Sequence, residues 1–261
     1  MAERQAHWGR FPSWWVEDLG LLRDAYGNPS IPDPWQETIL DSTRKRKILN
    51  IHRQAGKSAI ASLKCLHKAV FKPGSLSLII APALRQSREN FKSILKAVDL
   101  LPVKPTFREF TKLSLETDQG SRILCLPGGN EGATIRGFAR PDLIVEDEAA
   151  RCTDELHQAI LPMMTANPEC ELLLASTPWG PRGHYYKTWA EGGAKWLKIE
   201  LNAEMNPRID KTFLEEQKHG PNGPYYYAQE FMCQFVASEG SIFSSELFKS
   251  LANPSISTLK I

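Results

Sequence analysis

The sequence predicts an α/β protein built on a mostly parallel sheet flanked by helices, with a small helical subdomain toward the C-terminus. From Lys47 onward, short β-branched or aliphatic runs alternate with helical stretches, the pattern of a largely parallel sheet covered by its crossover helices. The length, 261 residues, is enough to bury a substantial core and fits one large α/β domain with appendages or two small domains. After Asn202 the character shifts to a short helical segment, a Gly/Pro turn and a second helix, within "NAEMNPRIDKTFLEEQKHGPNGPYYYAQEFMCQF".

In chain order, residues 1–35 hold Trp8, Phe11, Trp14, Trp15 and Trp35, with a helix expected over about 13–25. This segment reads as an arm packed on the main body, its tryptophans serving core packing rather than stacking on bases. Strands are expected in "KILNIH" (47–52), "SLSLIIAP" (75–82), "SRILCLP" (121–127), "DLIVED" (142–147), "ELLLAST" (171–177) and "WLKIEL" (196–201). Helices are expected at about 57–70, 85–98, 153–165 and 183–191, each after a turn. The tail after Phe243 ends in small polar residues and reads as the start of a linker.

Composition excludes several classes. With 42% hydrophobic and 24% charged residues, the chain is an ordinary globular one. The formal charge of +2 does not mark a nucleic-acid binder, although a balanced total can hide a basic face. Five cysteines without a C-x-x-C pair point to a reducing compartment, and six scattered histidines without H-x-x-x-H spacing give no support for zinc. No run of 18 apolar residues and no signal-peptide core is present, so no membrane partner and a cytoplasmic location are expected.

The chemistry is spread over separate segments. "KILNIHRQAGKSAIASLKCL" has the context of a phosphate-binding loop: an aliphatic strand, a polar turn, then a helix whose first amides meet phosphate oxygens. Gly56, Lys57 and Ser58 end it as such a loop ends, but the residue five places before Gly56 is Ile51, not glycine. On those three residues alone a surface turn capping a helix is the favoured reading; the strand-turn-helix context brings a nucleotide site level with it. "DLIVEDEAAR" ends an apolar strand in Asp147 and Glu148, suited to holding magnesium and to orienting an attacking water. "ELLLASTPWG" places Ser176 and Thr177 at another strand end, where ligands bind in parallel sheets and where a hydroxyl can sense a γ-phosphate. "IPDPWQETIL" offers Gln36 to an adenine edge and Trp35 or Pro34 to its ring, or simply starts a helix. The run Arg44-Lys45-Arg46-Lys47 reads as charges solvating a sheet edge, and DNA contact fits loops near 104–112 and 180–195 better.

From about Pro32 to Phe243 these segments resemble the ATPase half of the large terminase subunit, the motor that packages DNA into tailed-phage heads. Arg53 and Gln54 before Ala55-Gly56-Lys57-Ser58 match that family's altered phosphate loop. "LIVEDEAA" matches its acid strand, with Glu146 polar where an apolar residue is usual. Ser176, Thr177 and Pro178 match its coupling motif, the Gln36 region its adenine motif, and "GATIRGFAR" its segment before the acid strand.

The resemblance implies a P-loop NTPase of the ASCE/RecA-like type: an aromatic arm (1–35), an ATPase core (36–202), a lid or linker (203–243) and the start of a linker to an absent nuclease domain (244–261). It implies an ATP- and Mg2+-dependent hydrolase that moves double-stranded DNA and has no nuclease activity of its own. Partners would be the portal protein and the small terminase subunit, with a ring homo-oligomer in the assembled motor, a monomeric isolated domain and the host cytoplasm as location. In that reading Gln54 to Ser58 hold phosphates, Lys57 neutralises charge, Ser58 and Asp147 position magnesium, Glu148 polarises water, and Arg53 in cis or Arg136 in trans stabilises the transferring phosphoryl group. The competing readings are a DEAD-type helicase-like ATPase, disfavoured because it needs a second such core, and a nucleotide-regulated assembly module with little turnover alone.

Overall fold

The structure, a computed structural model, describes residues 2–24, 26–128, 135, 137–221 and 223–237. An eight-stranded sheet runs in the order β3-β4-β5-β2-β6-β7-β1-β8. Its strands are β1 (Arg46–Ile51), β2 (Leu76–Ala81), β3 (Phe107–Phe110), β4 (Ser114–Thr117), β5 (Arg122–Pro127), β6 (Leu143–Asp147), β7 (Glu171–Ser176) and β8 (Leu197–Leu201). All pairings from β5 to β8 are parallel, while β3, β4 and β5 pair antiparallel.

The helices are α1 (Ala2–Arg10), α2 (Pro12–Asp18), α3 (Pro34–Asp41), α4 (Lys57–Phe71), α5 (Leu84–Leu100), α6 (Asp154–Thr165), α7 (Gly183–Glu191), α8 (Lys211–Lys218) and α9 (Gly223–Glu230). Strands β2 and β6 are buried at every position, as expected of strands covered on both faces. One face packs Leu49, Ile79, Val145 and Leu173 against α4 and α5; the other packs Ile48, Leu78, Ile144 and Leu172 against residues of α6 and α7 such as Ile160 and Tyr185. Each such aliphatic side chain contributes roughly 1.5–3 kcal/mol by leaving water. A third small cluster joins Ala203, Leu214 and Tyr227.

Six strands and four helices lie where the sequence pattern puts them, to within one or two residues at their ends. The arm differs. Helix α2 stops at Asp18, because Gly20 turns left-handed at φ 56° and its amide bonds back to the Glu17 carbonyl, and a further helix, α1, precedes it. Trp15 is buried as expected, whereas Trp14 stays half exposed, stacked on His7. The segment at 104–112 is not a loop throughout, since Phe107–Phe110 forms edge strand β3, and most of 180–195 is α7. Lys47 does not solvate the sheet edge: it is fully buried and paired with Glu171, while Lys45 reaches the exposed Glu169. Residues 244–261 lie outside the described residues.

Candidate nucleotide site

The strand order decides where the chemistry converges. β7 lies between β1 and β6, with Asn50 opposite Ser176 and Asp147 opposite Ala175. The phosphate loop, the hydroxyl turn and the acid pair therefore emerge side by side at one carboxyl edge, where parallel sheets bind ligands.

The loop from β1 to α4 needs two residues at positive φ, Gln54 at 60° and Gly56 at 92°. At Gly56 a Cβ would also meet Gln36 Nε2 at 3.2 Å, so glycine is required there on two counts. Arg53, Gln54, Gly56, Lys57 and Ser58 line a pocket of about 490 Å³, closed on the far side by Gln86, Glu148 and Arg151. Lys57 donates to the carbonyls of Ile51 (2.7 Å) and His52 (2.9 Å). Burial pushes its ammonium below the usual lysine range, against the pull of Glu148 and Asp147.

Ser58 Oγ lies 3.1 and 3.0 Å from the two oxygens of Asp147, which also accepts from Asn90 Nδ2 at 2.9 Å. Burial raises the Asp147 pKa. A buried carboxylate beside a hydroxyl, both hard oxygen donors, fits a magnesium ion. Glu148 follows in the left-handed region (φ 53°, ψ 42°), a strained conformation for a glutamate. That kink turns its side chain to the pocket, where Oε2 accepts from Arg151 Nη1 at 2.8 Å.

Gln36, Trp35 and Thr177 stand behind the pocket wall. Gln36 is buried, its Oε1 accepting from the Asp33 amide (2.8 Å) and its Nε2 reaching the Ala55 carbonyl (3.4 Å), so it braces the loop. Trp35 packs in the core next to it. Thr177 is fully buried and accepts from Arg151 Nη1 at 3.2 Å. Arg53 stands at the rim with Nε 2.5 Å from Glu230 Oε2, a close ion pair that is not aligned as a hydrogen bond. Arg136 lies outside the described residues.

Four contributors escape sequence reasoning: Asn90 on α5, Gln86, Arg151 and Glu230. Arg151 alone had a legible signal, as the cation closing "DEAAR" three residues after Glu148. The polar Glu146 is explained by two histidines: Oε1 meets His157 Nδ1 at 2.6 Å and Oε2 meets His184 Nε2 at 2.9 Å. The two rings stack at 4.2 Å and only 11°. Nitrogen lone pairs in parallel ring planes do not converge on one metal, so this trio ties β6 to α6 and α7 by hydrogen bonds.

The family model for the N-terminal part of the large terminase subunit, T4likevirus type, matches residues 48–250. The chain belongs to the large terminase subunit family. Large terminase subunits of Thermus phage G20c and Thermus virus P23-45 are each 27% identical to it over 248 residues, covering 82% of this chain and 50% of theirs. The chain thus spans about half the length of these curated relatives. The ATPase domain of the Thermus phage P74-26 large terminase superposes with a TM-score of 0.67 at 22% identity, over 78% of this chain and 94% of that one. The bacteriophage HK97 large terminase gives 0.62 at 18%, over 80% of this chain and 47% of that one. These likenesses agree on the fold seen here, a terminase-type parallel sheet flanked by helices. Among the described residues no helix is long and apolar enough to cross a membrane.

Proposed function

We propose that this chain binds ATP with magnesium and hydrolyses it, as the motor part of a terminase that drives double-stranded DNA into a prohead. One observation carries the reading: the Ser58 hydroxyl and the Asp147 carboxylate, 89 residues apart in sequence, meet within 3.1 Å at the mouth of the phosphate loop. The family and a large terminase from a thermophilic bacteriophage solved with ADP (TM-score 0.61, 13% identity, over 78% of this chain and 54% of that one) support it.

The residues divide the work. Amides of Gln54 to Ser58 at the start of α4 cradle phosphate oxygens, helped by the helix dipole. Lys57, held by the loop's own carbonyls, has only to swing from one set of oxygens to another. Ser58 and Asp147 would hold magnesium, which offsets the phosphate charge, and Asn90 fixes the Asp147 carboxylate. Glu148 orients the attacking water, and Arg53 at the rim meets the developing charge. Gln36 braces the phosphate loop from beneath through the Ala55 carbonyl, with Trp35 packed beside it. Thr177 senses the γ-phosphate through Arg151. Arg136 remains the candidate for action on a neighbouring subunit in a ring. Residues 203–243 are read as the lid; the portal protein and the small subunit complete the partners of the assembled motor.

Glu148→Gln tests the assignment. Binding of a fluorescent ATP analogue should stay within about threefold of wild type, while phosphate release with double-stranded DNA present falls roughly 10²-fold or more. Wild-type turnover in the variant removes Glu148 from the mechanism.

A further inference from the structure

We propose that Arg151 is the positioning residue through which a triphosphate in the pocket is felt by the lid and by Glu148. The inference rests on the nucleotide reading above and goes beyond it.

Arg151 closes the short turn Ala149–Arg151 after β6 and meets four side chains on three segments of the chain. Its Nη1 donates to Glu148 Oε2 (2.8 Å) and to Thr177 Oγ1 (3.2 Å), and its Nη2 donates to Glu230 Oε1 (3.2 Å). Its guanidinium lies 4.4 Å from the ring centre of Trp179. A planar fork with several donors holds such a set at fixed angles, which an ammonium does not.

Glu230, the last residue of α9, is 3% exposed and faces two guanidiniums, those of Arg151 and Arg53. Both cations line the pocket. Arg53 and Arg151 share Glu230, with Glu148 as the second carboxylate on Arg151, and a triphosphate, more negative than either carboxylate, competes with Glu230 for both guanidiniums. When phosphate draws the arginines away, Glu230 is left buried without a counter-charge, the costliest condition for a carboxylate. The C-terminal end of α9 must then move. Arg151 has room to follow, because it is also a wall of a second concavity of about 500 Å³ bounded by Thr153, Asp154, Trp179 and Arg182. Any such shift changes its hold on Glu148 and Thr177 together.

The whole 261-residue chain is tested with a mant-ATP probe, with AMP-PNP and with phosphate release. Glu230→Gln removes the competitor and should tighten mant-ATP binding roughly three- to tenfold, the gain expected when a restraint on the competent state is lifted. Arg151→Ala should lower kcat roughly 10²-fold with KM within about threefold, as misplacement of a catalytic group does. Arg151→Lys should recover part of that loss. AMP-PNP should change tryptophan emission in wild type, and the change should be absent in Trp179→Phe. Unchanged or weaker mant-ATP binding by Glu230→Gln overturns the proposal, as does wild-type kcat in Arg151→Ala. If Arg151→Ala does not fold, Arg151→Lys and Glu230→Gln decide. A wild-type chain that binds no mant-ATP overturns the nucleotide reading as well, whereas normal binding with insensitive variants overturns this inference alone.

Discussion

Glu171 begins β7 amid three lysines: Lys47 and Lys68 at bonding distance and Lys64 at 3.4 Å. Burial alone would raise its pKa, but the three ammoniums together bring it down to about 2. Burial in turn brings Lys47 down to about 8, with Lys64 adding to the effect. Glu171→Gln leaves three crowded cations without a counter-ion and should destabilise the fold by about 3–5 kcal/mol, read by urea denaturation. The folded pKa lies below the unfolded one, so the Glu171 contribution is full above pH 4.5 and is lost as pH falls toward 2. Nothing in the run "TRKRKIL" announces which of its cations turns inward. That depends on β7 pairing with β1, a contact between residues more than 120 apart in the chain. The same limit applies at the site. Gly56, Lys57, Ser58, Asp147 and Glu148 are legible because each sits in a local pattern whose chemistry is fixed by its neighbours. Asn90 and Glu230 are ordinary helical residues until the fold brings them to Asp147 and the arginines.

At the scale of elements, the central parallel strands are read easily because burial on both faces makes β2, β6 and β7 largely apolar runs. The hairpin β3–β4 is not. "FREF" and "SLET" are four residues each; β3 is largely exposed and β4 buries only Leu115 and Thr117, so neither gives a long apolar run. The N-terminal arm is held by aromatic packing that has little periodicity. His67 of α4 stacks on Phe71 at 4.6 Å, sits edge-on to Trp15, and has Nε2 at 2.7 Å from the Trp8 carbonyl, to which it donates. Burial brings its pKa from 6.5 to about 4, with Lys64 and Lys68 adding to the shift and the Trp8 bond and Asp41 opposing it. The folded chain therefore holds His67 neutral while the unfolded chain takes up a proton, so stability is full above pH 6.5 and is lost as pH falls toward 4. Between pH 7 and pH 5 this histidine should cost the fold about 2 kcal/mol. His52, also lowered by burial, acts in the same direction. His67→Gln, which keeps a donor for the Trp8 carbonyl and does not titrate, should lose correspondingly less over that range. Equal losses in both proteins would assign the effect elsewhere.

Across the whole molecule, the segment after Asn202, read above as a lid, meets the core both by packing Phe235 on Tyr185, Tyr186 and Trp189 and through groups of the phosphate loop and its strand. Asn206 Nδ2 donates to His52 Nε2 (3.1 Å), Asn50 Nδ2 to the Cys233 carbonyl (2.8 Å), and Glu230 pairs with Arg53 and Arg151. Arg208 adds an ion pair with Asp33, the residue that heads α3 and bonds Gln36. On the proposed reading, a nucleotide seated in the loop would act on residues that also hold this segment, coupling binding to its docking through shared contacts rather than through a distant path. Ligand bound only by the folded state stabilises it by mass action, about 2.7 kcal/mol at a hundred times Kd. For a chain of this size, at about 2–4 °C per kcal/mol, that is roughly a 5–11 °C rise in Tm. ADP with magnesium should give such a rise in wild type. Chelating the magnesium should reduce it, because Ser58 and Asp147 then hold no cation between themselves and the phosphates. Lys57→Ala should abolish it, leaving the Tm without nucleotide within a few degrees of wild type. A rise that survives Lys57→Ala would mean that ADP binds elsewhere on the chain.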